Sequence, residues 1–410
     1  MKYVILIGDG MADNPAPEYG GKTALEYSNK PLIDRLSREG EIGLVRTVPV
    51  GVVPGSDTAI LSIFGYDPRE YFSGRSPFEA ASSGIALDDG DISYRCNMIA
   101  LEDGDKPFRE KIILSHSGGS IDGESSIELL SVLKDDAEFA KLLKKSHMVI
   151  NPIPSFRHIA VQKNADIAGL VTIPPHDHLG EVIGGLLPSG IPMAEDLIAL
   201  MRRANEILDK HPINEARRAQ GKLPANGIWF WAQGMAVALP SFVGKYGKGG
   251  FVVSGVPLAM GIGALAGLRY VIVPGATGEL DTDFEGKTDA ILRGLSEGDE
   301  FAVLHIEAPD ECTHNGDIEG KIQAIEWIDS RSLSRLIDGL QKMGEDYRVL
   351  ILSDHKTLTS TRGHDGDPVP YLIYDSRKTA GSGLSYTEAN AEKGLYIEEG
   401  HRLIERLFEI

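Results

Sequence analysis

Asp310 and His314 stand four residues apart, a spacing that puts both side chains on one face of a helical turn. Asp354 and His355 are adjacent, and His364 follows in the loop 360–367. Mixed carboxylate and imidazole donors in this pattern point to divalent cations. They suit Mn²⁺ or Zn²⁺ better than a Mg²⁺ site built of oxygen alone. A lone histidine is more often a hydrogen-bonded or surface residue, and an Asp after a strand is often a turn residue or helix cap. A DxxxH, a DH and a trailing His in one chain are much harder to explain in that way.

A nucleophile candidate lies far upstream. In Val53-Pro54-Gly55-Ser56-Asp57-Thr58-Ala59, Ser56 starts a helical pattern that runs to the Phe64-Gly65 stop. Free N–H groups and the helix dipole at such a start favour a phosphate or an alkoxide. Serine is also a preferred helix cap, so Ser56 gains meaning only beside the metal ligands. Metal coordination lowers the pKa of a hydroxyl, and no histidine base is then needed.

These residues need elements that converge. Three apolar runs, 3–8, 303–306 and 349–352, each end in acidic residues: Asp9, then Glu307 and Asp310, then Asp354. Short apolar strands alternating with helices, such as 31–38, 56–64 and 322–343, indicate a mostly parallel sheet with helices on both faces. Ligands of open α/β sheets bind outside the carboxyl ends of the strands, so the carboxylates are expected at one place. The stretch from about 88 to 225 is more polar and carries Arg95, Arg157, Arg202, Arg203, Arg217 and Arg218. It reads as an inserted smaller α/β domain, with the core built from 1–87 and 226–410.

Composition narrows the function. The 410 residues suit two domains. A formal charge of -19 repels nucleic acid and anionic membranes, so an anionic substrate would need a local positive centre such as bound metal. Cys96 and Cys312 form no paired motif, which fits a reducing cytoplasm. The N-terminal apolar run stops at Gly8-Asp9 and reads as a strand, not a leader. Residues 249–268 are uncharged and long enough to span a membrane. Six glycines and Pro257 divide that run into strand, helix and strand instead.

MKYVILIGDGMAD, PGSDTAIL, APDECTHNGD and SDHKT with GHDGDPVP resemble the signature segments of the 2,3-bisphosphoglycerate-independent phosphoglycerate mutases. The similarity is to the shorter, archaeal-type branch and covers nearly the whole chain, including KLPANGIWFWAQG and VPGATGELDTDFEGK. The resemblance implies an alkaline-phosphatase-like core and two divalent metal ions, with no need for 2,3-bisphosphoglycerate. One ion would take Asp310, His314 and His364. The other would take Asp9, Ser56, Asp354 and His355, with Ser56 as the residue that becomes phosphorylated.

For the substrate, the resemblance points to Arg157 and His158 in PSFRHIAV, to Asn214 and Arg217 in HPINEARRAQGKLPAN, and to Lys287. The TIPPHDHLG segment, with His176, Asp177 and His178, is expected to line the same cleft. The implied activity is interconversion of 3-phosphoglycerate and 2-phosphoglycerate in the cytoplasm, on a small phosphorylated anionic substrate. A homoserine kinase-like phosphotransferase and a metallophosphatase are the alternatives. A metal-stabilised scaffold would have no use for a serine among the ligands. Oligomeric state stays open.

Overall fold

The computed structural model describes residues 1–378 and 381–409. Its strands, in chain order, are β1 (Lys2–Gly8), β2 (Glu41–Val45), β3 (Ile92–Leu101), β4 (Ile113–Ser115), β5 (Met148–Asn151), β6 (Arg157–Gln162), β7 (Gly227–Met235), β8 (Gly250–Val253), β9 (Arg269–Val271), β10 (Phe301–Ile306), β11 (Tyr347–Leu352), β12 (Lys356–Leu358), β13 (Gly363–Asp365), β14 (Val369–Asp375) and β15 (Leu395–Ile397). The chain divides into two units, Met1–Phe72 with Ala238–Ile410, and Ser73–Val237.

The first unit is built on an eight-stranded sheet in the order β15-β2-β14-β11-β1-β10-β8-β9. β1 pairs in parallel with β10 and β11, and β10 with β8. β14 runs antiparallel to β11 and β2. The central strands are buried on both faces, which is why 301–304 and 349–352 read as unbroken apolar runs. In the stretch 249–268, β8 is followed by a helix, Pro257–Leu265. Among the described residues no helix is long and apolar enough to cross a membrane.

The single helix expected over 322–343 is interrupted. Ile318–Trp327 and Ser334–Met343 are α-helical, and a π segment, Ile328–Leu333, joins them. The segment turns Asp329 toward the start of helix Pro31–Glu39, where its carboxylate accepts the N–H groups of Leu32 and Ile33 at 3.3 and 2.6 Å. That helix begins on Pro31 with no side-chain cap of its own. Asp329 supplies from a distant segment the acceptor that a local cap would otherwise give.

The second unit is an antiparallel sheet in the order β4-β3-β6-β5, with β7 also on β3. Helices Gly123–Asp135, Ala137–Lys145 and Ala194–Leu208 close its core, which includes Leu129, Phe139, Leu197, Met201 and Trp229. Its ends lie at 73 and 237 instead of the expected 88 and 225. Two elements account for the shift. Helix Ser76–Ser82 packs on β3, β6 and β7, and β7 pairs with β3 over most of its length.

Candidate active site

Asp9 follows β1, and Asp354 and His355 follow β11, the neighbouring strand. All three are completely buried. His355 Nε2 lies 3.2 Å from Asp354 Oδ2 and 3.6 Å from Asp9 Oδ1. Both of these carboxylate oxygens are buried and have no hydrogen-bond partner. The other Asp354 oxygen is engaged, accepting the N–H groups of Gly10 and His355 at 3.2 and 2.9 Å. Burial, and then the charge of Asp354, push the Asp9 pKa well above the usual carboxylate range. Burial lowers that of His355. No lysine or arginine pairs with either carboxylate among the described residues. Two orphaned carboxylate oxygens and an imidazole nitrogen aimed at one place fit a divalent cation.

A second group lies on helix Ala308–His314 and strand β13. His314 Nε2 is 3.1 Å from Asp310 Oδ2 and 2.9 Å from His364 Nε2. His364 Nε2 is 3.5 Å from Asp310 Oδ1. His314 Nδ1 lies 2.8 Å from the Arg362 carbonyl, which can only accept, so Nδ1 carries the hydrogen. The Nε2 lone pair is thereby turned toward Asp310 and His364, the arrangement a metal-binding imidazole needs. In the metal-free chain the hydrogen bond to Asp310 raises the His314 pKa to about 9. Burial alone would raise Asp310, but His314 and His364 hold it well below the usual range. This group is half-exposed at His314 and His364, unlike the first.

Ser56 is the first residue of helix Ser56–Ile63 and is buried. Its Oγ stands 3.2 Å from His355 Nε2, so the hydroxyl joins the Asp9, Asp354 and His355 group. Thr357 ties the two groups together. Its hydroxyl donates to Asp310 Oδ1 at 2.5 Å and lies 3.2 Å from His355 Nδ1. With its hydrogen spent on a carboxylate, the Thr357 oxygen must accept from Nδ1–H. That leaves the Nε2 lone pair of His355 facing Ser56. Gly10 makes the close approach possible: at φ +64°, a Cβ there would meet Thr357 Oγ1 at 2.6 Å and Asp310 Cα at 2.8 Å.

The other residues singled out by sequence fall in different surroundings. Arg157 starts β6, and its Nε is buried without a hydrogen-bond partner. Burial, with Arg95 nearby, lowers its pKa to about 10. Arg75, Arg95 and Arg157 all act on one buried carboxylate, Glu79, whose pKa burial would raise but Arg95 brings down to about 2. Positive charge is therefore in excess there. His116, His176 and Trp231 adjoin: His176 packs 5.2 Å from Trp231 and 6.0 Å from His116, and Arg95 lies 4.6 Å over the Trp231 ring. His116 Nδ1 is buried without a partner.

His158, Asn214 and Arg217, by contrast, have their polar atoms engaged within the second unit. His158 bonds Ser126 Oγ and the Ile153 N–H. Asn214 donates to Leu208 and Ala225 carbonyls and accepts from Ala225 N–H. Arg217 donates to the carbonyls of Leu223, Gly118 and Gly119 at 3.0, 2.8 and 2.7 Å. His178 pairs with Glu181 at 3.1 Å. Lys287, in the first unit, is fully buried and donates to the Thr277 carbonyl at 3.1 Å. Burial lowers its pKa to about 8 against the pull of Glu307 and Asp283.

Sequence reasoning missed Arg95, His116, Trp231, Thr357 and His305. Each reads in sequence as an ordinary core, strand or loop residue, and what marks it out is a partner distant in sequence. A further acidic and imidazole group, Asp67, Glu399 and His401, is bridged by Arg69 and so is neutralised already.

The family model for 2,3-bisphosphoglycerate-independent phosphoglycerate mutase matches residues 37–214. The enzyme of that name from Methanothrix thermoacetophila is 44% identical over 99% of each chain. A probable one from Geobacter sulfurreducens is 40% identical over the full length of both. The solved structure of the PH0037 protein from Pyrococcus horikoshii superposes with a TM-score of 0.79 at 28% identity, over 100% of this chain and 97% of that one. The cofactor-independent phosphoglycerate mutase of Thermoplasma acidophilum shares the fold, with a TM-score of 0.61 at 22% identity. Alike over its whole length to these relatives, the chain belongs to the 2,3-bisphosphoglycerate-independent phosphoglycerate mutase family.

Proposed function

We propose that the chain interconverts 3-phosphoglycerate and 2-phosphoglycerate through a phosphoserine at Ser56, without 2,3-bisphosphoglycerate. The observation that carries this reading is the place of the Ser56 hydroxyl: at a helix N-terminus and 3.2 Å from His355 Nε2, inside the group formed with Asp9 and Asp354. Asp9, Asp354, His355 and Ser56 would hold one divalent cation, and Asp310, His314 and His364 the other, with Mn²⁺ or Zn²⁺ suited to these donors. Such ions lower the pKa of the serine hydroxyl and neutralise phosphoryl charge.

The rest of the work belongs to the chain. Ser56 Oγ forms a bond to phosphorus as the bond from phosphorus to the O3 oxygen of the substrate breaks. The serine proton is balanced by the one O3 gains. At the start of helix Ser56–Ile63 the Thr58 and Ala59 N–H groups are taken by Asp57 Oδ1 and the Gly55 carbonyl, which leaves those of Ser56 and Asp57 to face the phosphoryl oxygens. In the return step the O2 hydroxyl attacks the phosphoserine, and Ser56 regains its proton. Arg157 is proposed to hold the glycerate carboxylate between the two steps, because its guanidinium is buried, in positive surroundings, and retains an unpaired Nε. His158, Asn214, Arg217 and Lys287 keep supporting roles in this reading, since their polar groups are committed to the scaffold. A cytoplasmic location is proposed with the activity.

Phosphorus NMR tests the reading. Metal-loaded protein given 3-phosphoglycerate is expected to produce 2-phosphoglycerate, with no dependence on ATP or homoserine. Release of inorganic phosphate alone would make it a phosphatase. Transfer only when ATP and homoserine are present would make it a kinase.

A further inference from the structure

His305 lies in the middle of the first unit's sheet, at the fifth residue of β10 and paired in register with Ile7 of β1. It is 1% exposed among apolar neighbours such as Val303, Leu304 and Ile306. Both ring nitrogens nevertheless have partners from the strands on either side. Ser254, just past β8, places Oγ 2.9 Å from His305 Nδ1. Asp9, just past β1, places Oδ2 2.9 Å from His305 Nε2. The Val256 N–H donates to Ser254 Oγ at 2.9 Å, which fixes the hydroxyl's position.

The direction of this chain of bonds follows from its ends. With Asp9 ionised, as metal ligation requires, its Oδ2 at 2.9 Å can only accept, so Nε2 carries its hydrogen toward Asp9. In the neutral ring Nδ1 then has a lone pair, and the Ser254 hydroxyl, already accepting from Val256, donates to it. The result is a relay across β8, β10 and β1. It consumes one oxygen of Asp9 and leaves the other. Asp9 Oδ1 is the buried oxygen that has no hydrogen-bond partner and faces His355 Nε2.

We propose that His305, oriented by Ser254, is a positioning residue for the buried metal site: it holds Asp9 in one rotamer with Oδ1 presented and Oδ2 withheld. The proposal rests on the reading of Asp9, Ser56, Asp354 and His355 as metal ligands. Without the Nε2–H bond the carboxylate is free to turn about its Cβ–Cγ bond, and neither oxygen is favoured. Partners that orient a metal's ligands in this way are typically worth about tenfold to a hundredfold in affinity. Among the described residues no hydrogen bond joins Ser254, His305 or Asp9 to the half-exposed group, which takes its orientation from Arg362 and Thr357.

The test is direct metal binding, measured as Zn²⁺ competition against a chromophoric chelator. The full chain is used in a His314→Ala background, which removes the half-exposed site. His305→Phe keeps a ring of similar size but has neither hydrogen bond, and it is expected to weaken Zn²⁺ binding roughly tenfold to a hundredfold. His305→Gln, whose amide N–H reaches a similar place, should restore most of that loss, and Ser254→Ala should lie between. In an Asp354→Ala background, which spoils the buried site, the same changes should alter the remaining affinity less than about twofold.

Equal affinities for His305→Phe and its parent overturn the proposal, as does a His305→Gln variant that binds as weakly as the Phe variant. If His305→Phe fails to fold, the comparison of His305→Gln and Ser254→Ala with the parent decides, and unchanged affinity in Ser254→Ala overturns the oriented relay. If the His314→Ala parent binds no Zn²⁺ at all, it is the metal reading of the buried group that fails.

Discussion

Ser56→Ala is expected to abolish phosphoryl transfer while metal content stays near that of the unaltered chain. The three other donors, Asp9, Asp354 and His355, still converge without the hydroxyl. Metal analysis with phosphorus NMR on one sample checks both halves. His314 carries a prediction about pH. Beside Asp310 it keeps its proton up to about pH 9 in the metal-free chain, whereas its ordinary value is 6.5. A metal must displace that proton, so affinity at the half-exposed site should rise about tenfold per pH unit and level off near pH 9. The metal-free chain behaves in the opposite sense. The protonated pair contributes stability in full below pH 6.5, and that contribution is lost as pH rises through about 9. Zn²⁺ titrations and melting curves over this range separate the two trends. A flat affinity profile would show that His314 is no ligand. Asp9, Asp310, Asp354 and His355 were legible as candidates because each follows a recognisable apolar strand, and His314 and His364 because of their spacing from these residues. His305 was not: a histidine within such a strand reads as core, and its partner Ser254 is 51 residues away.

At the level of elements, the turn after β1 is the tightest constraint. Gly10→Ala would set a side chain in left-handed backbone, costing about 1–2 kcal/mol. It would also drive a methyl group into Thr357 Oγ1 and the Asp310 backbone. We expect lower thermal stability together with weaker metal binding at the half-exposed site. Stability lost with metal affinity intact would show that the loop yields elsewhere. Thr357→Val, nearly equal in shape, should leave the fold in place and weaken metal binding at both sites, by about tenfold. The strand and helix pattern of the first unit was readable because parallel strands buried on both faces are continuous apolar runs. The π segment Ile328–Leu333 was not, since it depends on Asp329 meeting a helix start some 296 residues away. The edges of the second unit were misplaced for a similar reason. β7 belongs to it through pairing with β3, and the pairing leaves no mark in local composition.

Two arginines of the second unit are expected to answer differently to mutation. Arg157→Ala should reduce turnover roughly tenfold to a hundredfold, the scale of one charge-assisted contact. It should also raise the ratio of free phosphate to 2-phosphoglycerate, because loosely held glycerate escapes before the return transfer. Arg217→Ala, which releases the Gly118, Gly119 and Leu223 carbonyls, should instead lower the melting temperature. An unchanged product ratio in Arg157→Ala would remove that residue from the substrate. The division of the sheet also bears on how the chain is made. The second unit is one continuous stretch, Ser73–Val237, and leaves the ribosome entire. β1 is translated well before its two neighbours, β10 and β11, which come nearly 300 and 340 residues later. At about 5–20 residues per second, its apolar edges wait roughly 20–70 s for partners. For that interval β1 has no partner, and neither has β2, whose neighbours β14 and β15 come later still, so the early strands of the first unit stay open and aggregation-prone while the chain is made.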